Sequence, residues 1–188
     1  MEKILRYFLS LFPTLSVQLQ EELINTIKLK EMKKKDMLLN IGQVCKNIYF
    51  IETGLFRCYY LKKEKEVCSW FMKEGDVMVS VNSFFTQTLS YEAIQALEDA
   101  VVHYISFSEL QDLYQRFLEF NVIRGLLLEK YYRKLDEQLY AIKMQKAKER
   151  YAFLLTNYPD IVRRVPSMYI ASYLGITLET LSRMKGKK

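Results

Sequence analysis

Metal-ligating side chains are scarce in this chain: there is one histidine, His103, and three cysteines, Cys45, Cys58 and Cys68. An odd number of widely spaced cysteines, with no CxxC, argues against a disulfide scaffold and for a reducing, cytoplasmic setting. A zinc site would need more ligands at suitable spacing, so no metal is expected. The thiols read as buried core residues. A membrane partner is excluded on similar grounds, since no apolar run reaches the ~18 residues of a spanning helix. The N-terminal LRYFLSLF, Leu5 to Phe12, lacks a small-residue cleavage site and meets Pro13. It is expected to be an amphipathic helix rather than a signal peptide. There is no nucleophile motif and no glycine-rich phosphate loop, so neither an enzyme nor a cofactor is expected. Low-complexity segments and internal repeats are also missing.

What is present is a chain of 188 residues, half of them apolar. That suits one large domain or two small ones. The net charge of +6 is unevenly spread. Residues 141–188 hold ten Lys/Arg against three Asp/Glu, while residues 1–140 are close to neutral. One end of the chain therefore suits phosphates and the other does not.

Residues 1–30 have helical spacing. Ile4, Leu5, Phe8 and Leu11 form one set, and Leu19, Leu23, Ile24 and Ile27 a second after a break at Pro13. Ser16 is placed to start the second helix. From about Lys33 to Ile105 the segments are short, β-branched or aromatic, with turn residues between them. Expected strands are Asn47 to Ile51, Leu55 to Leu61, Val67 to Met72, Ala93 to Leu97 and Ala100 to Ile105. Gly42, Gly54 and Gly75 fall at turns. The rhythm is that of a small sandwich or barrel.

Helix returns at Ser106, where SFSE carries a capping-box signature. A long helix is predicted over about Phe117 to Ala147. In it Leu128, Tyr131, Leu135, Gln138 and Ile142 are spaced 3, 4, 3 and 4, a heptad-like seam. The seam is expected to be a homodimer interface, the other possibility being the chain's own β segment. A further helix spans about Ala147 to Asn157, stopped by Tyr158-Pro159-Asp160.

The last segment, PSMYIASYLGITLETLSRMKGKK, reads as helix, tight turn, helix and basic tail. Ile170, Ala171 and Leu174 share a helix face. Gly175 suits a left-handed turn. Thr177 is placed as the cap of the next helix, with Glu179 in its first turn. Leu181 and Met184 face inward, leaving Glu179, Thr180, Ser182 and Arg183 outward. A short helix with that free face suits a DNA major groove.

With IYFIETGLFRCYY, FMKEGDVM, ALEDAVVHYIS and ASYLGITLETLSR in this order, the chain resembles the superfamily containing the cyclic-AMP receptor protein and the fumarate–nitrate reduction regulator (Crp/Fnr). The likeness covers nearly the whole chain. It implies an α+β fold: an N-terminal cyclic-nucleotide-binding-like β-roll (a double-stranded β-helix) flanked by helices, a long dimerisation helix and a C-terminal helix-turn-helix. The expected boundaries are 1–116, 117–146 and 147–188. The resemblance also implies that a Glu, a Thr and an Arg of the second helix contact the operator. Those roles fall on Glu179, Thr180 and Arg183, with Thr177, Ser182 and Lys185 alongside and Lys187 and Lys188 adding attraction to phosphate. Leu178 stands where well-known members carry an Arg, so a different operator is expected. A full β-hairpin wing after the recognition helix is expected to be absent.

Nucleotide-binding relatives close their phosphate cassette with an Arg. Here Gly75-Asp76 resembles the opening, but Ser90, Tyr91 and Glu92 occupy the closing position. No Lys or Arg lies between Lys73 and Arg116. A buried phosphodiester without a cation is costly, so neither cyclic AMP nor cyclic GMP is expected to bind in the usual way. The pocket is left to a neutral or cationic small-molecule effector, to a macromolecular signal, or to nothing. Its candidate lining is Phe71, Gly75, Asp76, Tyr91, Glu92, Tyr131 and Tyr132, with Trp70, Phe84 and Phe85 nearby. Three cysteines are too few for the four-cysteine iron–sulfur cluster of the oxygen-sensing branch, and His103, in an alternating strand pattern, reads as structural rather than haem-binding. The reading as a whole is a homodimeric, sequence-specific transcription regulator with double-stranded DNA and, if it activates, RNA polymerase as partners. The alternative is a small-molecule-binding module that has lost specific DNA binding.

Overall fold

The computed structural model describes residues 2–11 and 13–186, with Glu2, Lys3, Leu5 and Leu11 described by backbone alone. Expectations that fall on Phe12, Lys187 and Lys188, and on the packing of Leu5 and Leu11, lie outside the described residues.

Two helices lead, α1 (Glu2–Leu11) and α2 (Val17–Thr26). Ile4 and Phe8, one turn apart, are buried from α1, as are Leu19 and Leu23 from α2. Ser16 caps α2, its hydroxyl accepting from the Leu19 N–H at 3.2 Å. The same serine is held from across the molecule by Glu119, which accepts its backbone N–H at 3.1 Å.

Eight strands follow: β1 (Lys28–Met32), β2 (Met37–Leu39), β3 (Asn47–Thr53), β4 (Leu55–Lys62), β5 (Lys65–Lys73), β6 (Val77–Met78), β7 (Glu92–Ala96) and β8 (Ala100–Ser106). A short helix, α3 (Val81–Thr86), interrupts them between β6 and β7. The strands form two four-stranded antiparallel sheets, ordered β1-β8-β3-β6 and β2-β7-β4-β5. Alternate residues point into the space between the sheets. Ile51, Phe56, Met78, Ile94 and Val102 fill it, joined by Leu19, Leu23, Leu110, Leu113, Phe120 and Ile123 from the flanking helices. Gly54 makes the β3–β4 turn possible. Its φ is +104°, and a Cβ there would overlap Ala100.

The remaining elements are helical: α4 (Phe107–Arg116), α5 (Leu118–Met144), α6 (Ala147–Asn157), α7 (Pro159–Arg164), α8 (Ser167–Leu174) and α9 (Leu178–Lys185). The capping box at Ser106 and Glu109 is present on both sides, serine to the Glu109 N–H and Glu109 to the Ser106 N–H. Pro159 does not only stop α6. It is the first residue of α7, where a missing N–H costs nothing. β1 begins at Lys28, earlier than the texture of the sequence suggests, because Lys28 to Met32 pairs with Tyr104 to Ala100. The short β2 and β6 and helix α3 had no clear pattern in the sequence.

A second core joins the C-terminal helices to the β-roll. Leu55, Cys68, Phe71 and Leu97 on the outer face of the second sheet meet Tyr151, Leu154, Ile161, Val165, Ile170, Leu174 and Leu181. Leu55 and Phe56 are neighbours that enter different cores, as the period of a strand requires. All three cysteines are free and buried.

Candidate nucleic-acid interface and sensory pocket

The C-terminal helix pair is built around small and aliphatic contacts. Ile170, Ala171 and Leu174 of α8 are buried, and Leu181 of α9 is fully buried against them. Gly175 turns the chain with a φ of +66°. Thr177 caps α9, its hydroxyl accepting from the Thr180 N–H at 3.2 Å. With Leu181 pinned inward, geometry sends the opposite face of α9 out. Glu179, Ser182, Arg183 and Lys185 are exposed, with Thr177, and Thr180 is half-buried. Arg183 reaches the Thr180 hydroxyl at 3.5 Å, and Lys185 donates to Ser167 at 2.7 Å. No carboxylate among the described residues pairs with Arg183, so most of its guanidinium donors are left for an outside acceptor. Leu178 is half-exposed at the start of the same face.

This C-terminal helix pair, the candidate reading head, is fastened to the β-roll of its own chain. Arg57 on β4 is 2% exposed. Its guanidinium lies 3.8 Å from the ring centre of Tyr169 on α8 and 4.3 Å from that of Tyr59, and pairs with Glu66 at 2.6 Å. Ser172 bridges the strand edge. It accepts the Cys68 N–H and donates to the Glu66 carbonyl, both at 3.0 Å. Arg164 on α7 holds Glu74 at 2.7 Å and Glu98 at 2.6 Å, and Lys73 pairs with Asp160. The Arg164 guanidinium holds the Glu74 carboxyl down at about 2.

Along α5 the five seam candidates divide. Leu128, Leu135 and Ile142 are at least half exposed. Tyr131 and Gln138 instead turn to their own β-roll: the Tyr131 hydroxyl accepts the Val77 N–H at 2.6 Å, and Gln138 donates to the Ser69 carbonyl at 2.9 Å. The exposed apolar row runs through Val122, Leu128, Tyr132, Leu135, Leu139 and Ile142. Gly125 lies on it with open space where a Cβ would be. Spacings of three and four persist along this row, one residue over at two positions, and Tyr132 belongs to it rather than to a pocket.

The pocket candidates also separate. Gly75 and Asp76 form the β5–β6 turn, and the Asp76 carboxylate is taken by Lys134 at 3.1 Å and by the Lys73 N–H at 3.2 Å. Glu92 lies elsewhere, against the hydroxyls of Ser80 and Tyr60, where burial pushes its carboxyl up. Tyr60 is itself pushed up to about 12 by burial and by Glu92. Ser80 and Ser90, of which the sequence pointed only to Ser90, are buried around this acid. The Ser80 and Ser90 hydroxyls are 3.0 Å apart. Among the described residues no Lys or Arg pairs with Glu92. Tyr91 is largely exposed and packs on Tyr60, Phe84 is core, and Phe71 packs on Tyr173 of α8 at 5.4 Å. A cleft of about 550 Å³ opens between the β5–β6 turn, α5 and the C-terminal helices. It takes in Trp70, Phe71, Gly75 and Asp76 but not Tyr91, Glu92, Tyr131 or Tyr132.

Residues 29–117 match the family model described as the cyclic nucleotide-binding domain. The chain is 27% identical over 190 residues to the anaerobic regulatory protein of Haemophilus influenzae, spanning 93% of this chain and 72% of that protein. It is 26% identical over 191 residues to the anaerobic regulatory protein of Pasteurella multocida, spanning 93% and 68%. Among solved structures, FixK2 from Bradyrhizobium japonicum superposes with a TM-score of 0.71 at 21% identity, covering 86% of this chain and 83% of that one. The c-di-GMP responsive global regulator CLP of Xanthomonas campestris gives 0.71 at 14% identity, covering 92% and 91%. At those identities the structural likeness speaks for the fold alone.

Proposed function

We infer that this chain is a transcription regulator of the Crp/Fnr type, and from that premise that it is a homodimeric, sequence-specific DNA-binding protein without catalytic activity. The observation that carries the reading is the free face of α9. Glu179, Ser182, Arg183 and Lys185 stand exposed on a helix capped by Thr177 and anchored by Leu181. Arg183 can donate twice to guanine O6 and N7, and Glu179 can accept from cytosine N4. Thr177, Thr180 and Ser182 lie within reach of bases or phosphates, and Lys185 adds attraction to the backbone.

Dimerisation through the exposed row of α5 would place two α9 helices about one turn of DNA apart. The β-roll then acts as the sensor. Because each reading head shares a core with its own roll, a signal that changes how two α5 helices cross would move head and roll together. RNA polymerase is a partner only if the protein activates. The cation-free surroundings of Glu92 favour a signal other than cyclic AMP or cyclic GMP.

A salt titration on a duplex chosen by selection from a random library tests the reading. Binding should be tight and should weaken steeply with added salt. Arg183→Ala should cost about 1–3 kcal/mol on the selected duplex and relax the preference at one base pair. Equally weak binding to every duplex would instead favour a ligand-binding module that no longer reads DNA.

A further inference from the structure

The cleft between the β5–β6 turn, α5 and the C-terminal helices touches all three parts that a signal must couple. At about 550 Å³ it is of a size that holds a small organic ligand. Its walls are aromatic: Trp70 and Phe71 from β5, Phe153 and Tyr158 from the α6 end, Tyr173 from α8.

The walls carry four basic and four acidic side chains, so their charges balance in number but not in pairing. Asp76 is engaged by Lys134, and Glu74 by Arg164 and the Gly54 N–H. Lys73 is engaged by Asp160. Asp136 and Glu137 are exposed at the rim. Two cations are left. Arg150, half-buried, donates only to the backbone carbonyls of Gln145 and Leu174, at 2.8 and 2.7 Å. Lys130 donates to the Tyr7 hydroxyl at 3.5 Å, and burial lowers its pKa. Neither has a carboxylate within ion-pair distance among the described residues. A guanidinium has five N–H donors in a planar fork, so Arg150 retains donors that a carboxylate would match. Beside it, the side-chain oxygen Oε1 of Gln145 is buried without a hydrogen-bond partner. A buried acceptor left unpaired is costly, and a ligand donor would relieve it.

We propose that this cleft is the effector site and that its ligand is an aromatic carboxylate. The ring lies among Trp70, Phe71, Phe153 and Tyr173, the carboxylate meets Arg150, and a hydroxyl or N–H on the ring donates to Gln145. Lys130, which also lines the cleft without a carboxylate partner, adds a favourable charge. This deepens the sensory reading above and rests on it: bound there, the ligand would contact the roll, the connecting helix and the reading head at once.

The test uses the full chain without DNA. Trp70 is the sole tryptophan, so its fluorescence reports on the cleft alone. Hydroxynaphthoate should change that fluorescence saturably, and calorimetry should show it binding at least about tenfold more tightly than naphthylmethylammonium. Arg150→Gln should weaken it about tenfold or more. Because Arg150 also ties α6 to the end of α8, Gln145→Leu serves as a second variant. It keeps α5 intact and should narrow the advantage of hydroxynaphthoate over plain naphthoate. No saturable change up to about 1 mM, equal binding of the ammonium compound, or unchanged affinity in an Arg150→Gln protein with a normal melting transition would each overturn the proposal. Since no duplex is present, these failures are separate from a failure to read DNA.

Discussion

Arg57 shows how one side chain can decide a domain arrangement. It is a cation with almost no exposure, lying against two tyrosine rings and bonded to Glu66 and Gln95. Burying a charge is tolerable only when its donors are satisfied. Here one of those partners, Tyr169, belongs to the reading head. Arg57→Ala should lower stability by about 2–4 kcal/mol in a urea titration, through lost packing and a vacated ion pair. Arg57→Met should cost clearly less, because Glu66 is exposed enough to rehydrate and the methionine fills the space between the rings. Equal losses from both variants would mean that the charge, not the volume, holds the joint. Glu92 makes the complementary case. Its carboxyl is pushed up by burial and faces serine and tyrosine hydroxyls. A cyclic phosphodiester brought beside it would add a second acid with no base. Calorimetry with cyclic AMP should therefore show no binding heat, and micromolar affinity would refute that argument.

At the level of elements, α5 carries two faces that the sequence alone does not separate. Tyr131 and Tyr132 are adjacent tyrosines, and Gln138 and Leu139 are adjacent as well. A row of three-and-four spacings can pass through either member of each pair. What chooses between them is contact with β5 and β6, where Val77 and Ser69 offer a backbone N–H and C=O to the helix. Those partners lie more than fifty residues away, beyond the reach of any periodicity argument. Features closed within a few residues were legible: the Ser106 box, the Ser16 and Thr177 caps, the Gly175 turn and the strands β3, β4, β5, β7 and β8, all set by local chemistry. So was the outward face of α9. The fastening of α8 to β5, and the cleft it helps enclose, join residues about a hundred positions apart and left no mark in the sequence. The two faces of α5 predict different outcomes. Leu135→Glu places a charge in the exposed row and should convert the proposed dimer to a monomer in sedimentation equilibrium at micromolar concentration. Gln138→Ala, on the other face, should leave the dimer intact and cost only about 1 kcal/mol of stability, the usual worth of one hydrogen bond. Dissociation by Gln138→Ala with an intact Leu135→Glu dimer would reverse the assignment of the faces.

For the whole molecule, the question is how firmly roll and reading head are joined. The apolar contact of Leu55, Cys68, Phe71 and Leu97 with the C-terminal helices is rimmed by Arg164 with Glu74 and Glu98, and by Lys73 with Asp160. The rim makes the joint sensitive to acid. Glu74 is held at about 2, against an ordinary value of 4.5, chiefly by its hydrogen bond from Arg164. Asp160 is lowered by its bond from Lys73. A depressed carboxyl binds its proton more readily in the unfolded chain. Its stabilising effect is therefore complete above the ordinary value and fades as the pH falls toward the folded one. Glu74 is partly exposed, so screening by solvent keeps the size of the effect modest. Urea midpoints should hold steady in mildly acidic buffer and decline from about pH 4.5 toward pH 2. In Glu74→Gln the group that titrates is gone. The variant should start from a lower midpoint at neutral pH and decline less steeply through the same window. If its decline matched that of the wild type, the acid sensitivity would belong to other carboxylates, and the rim would not be what fastens the reading head to the roll.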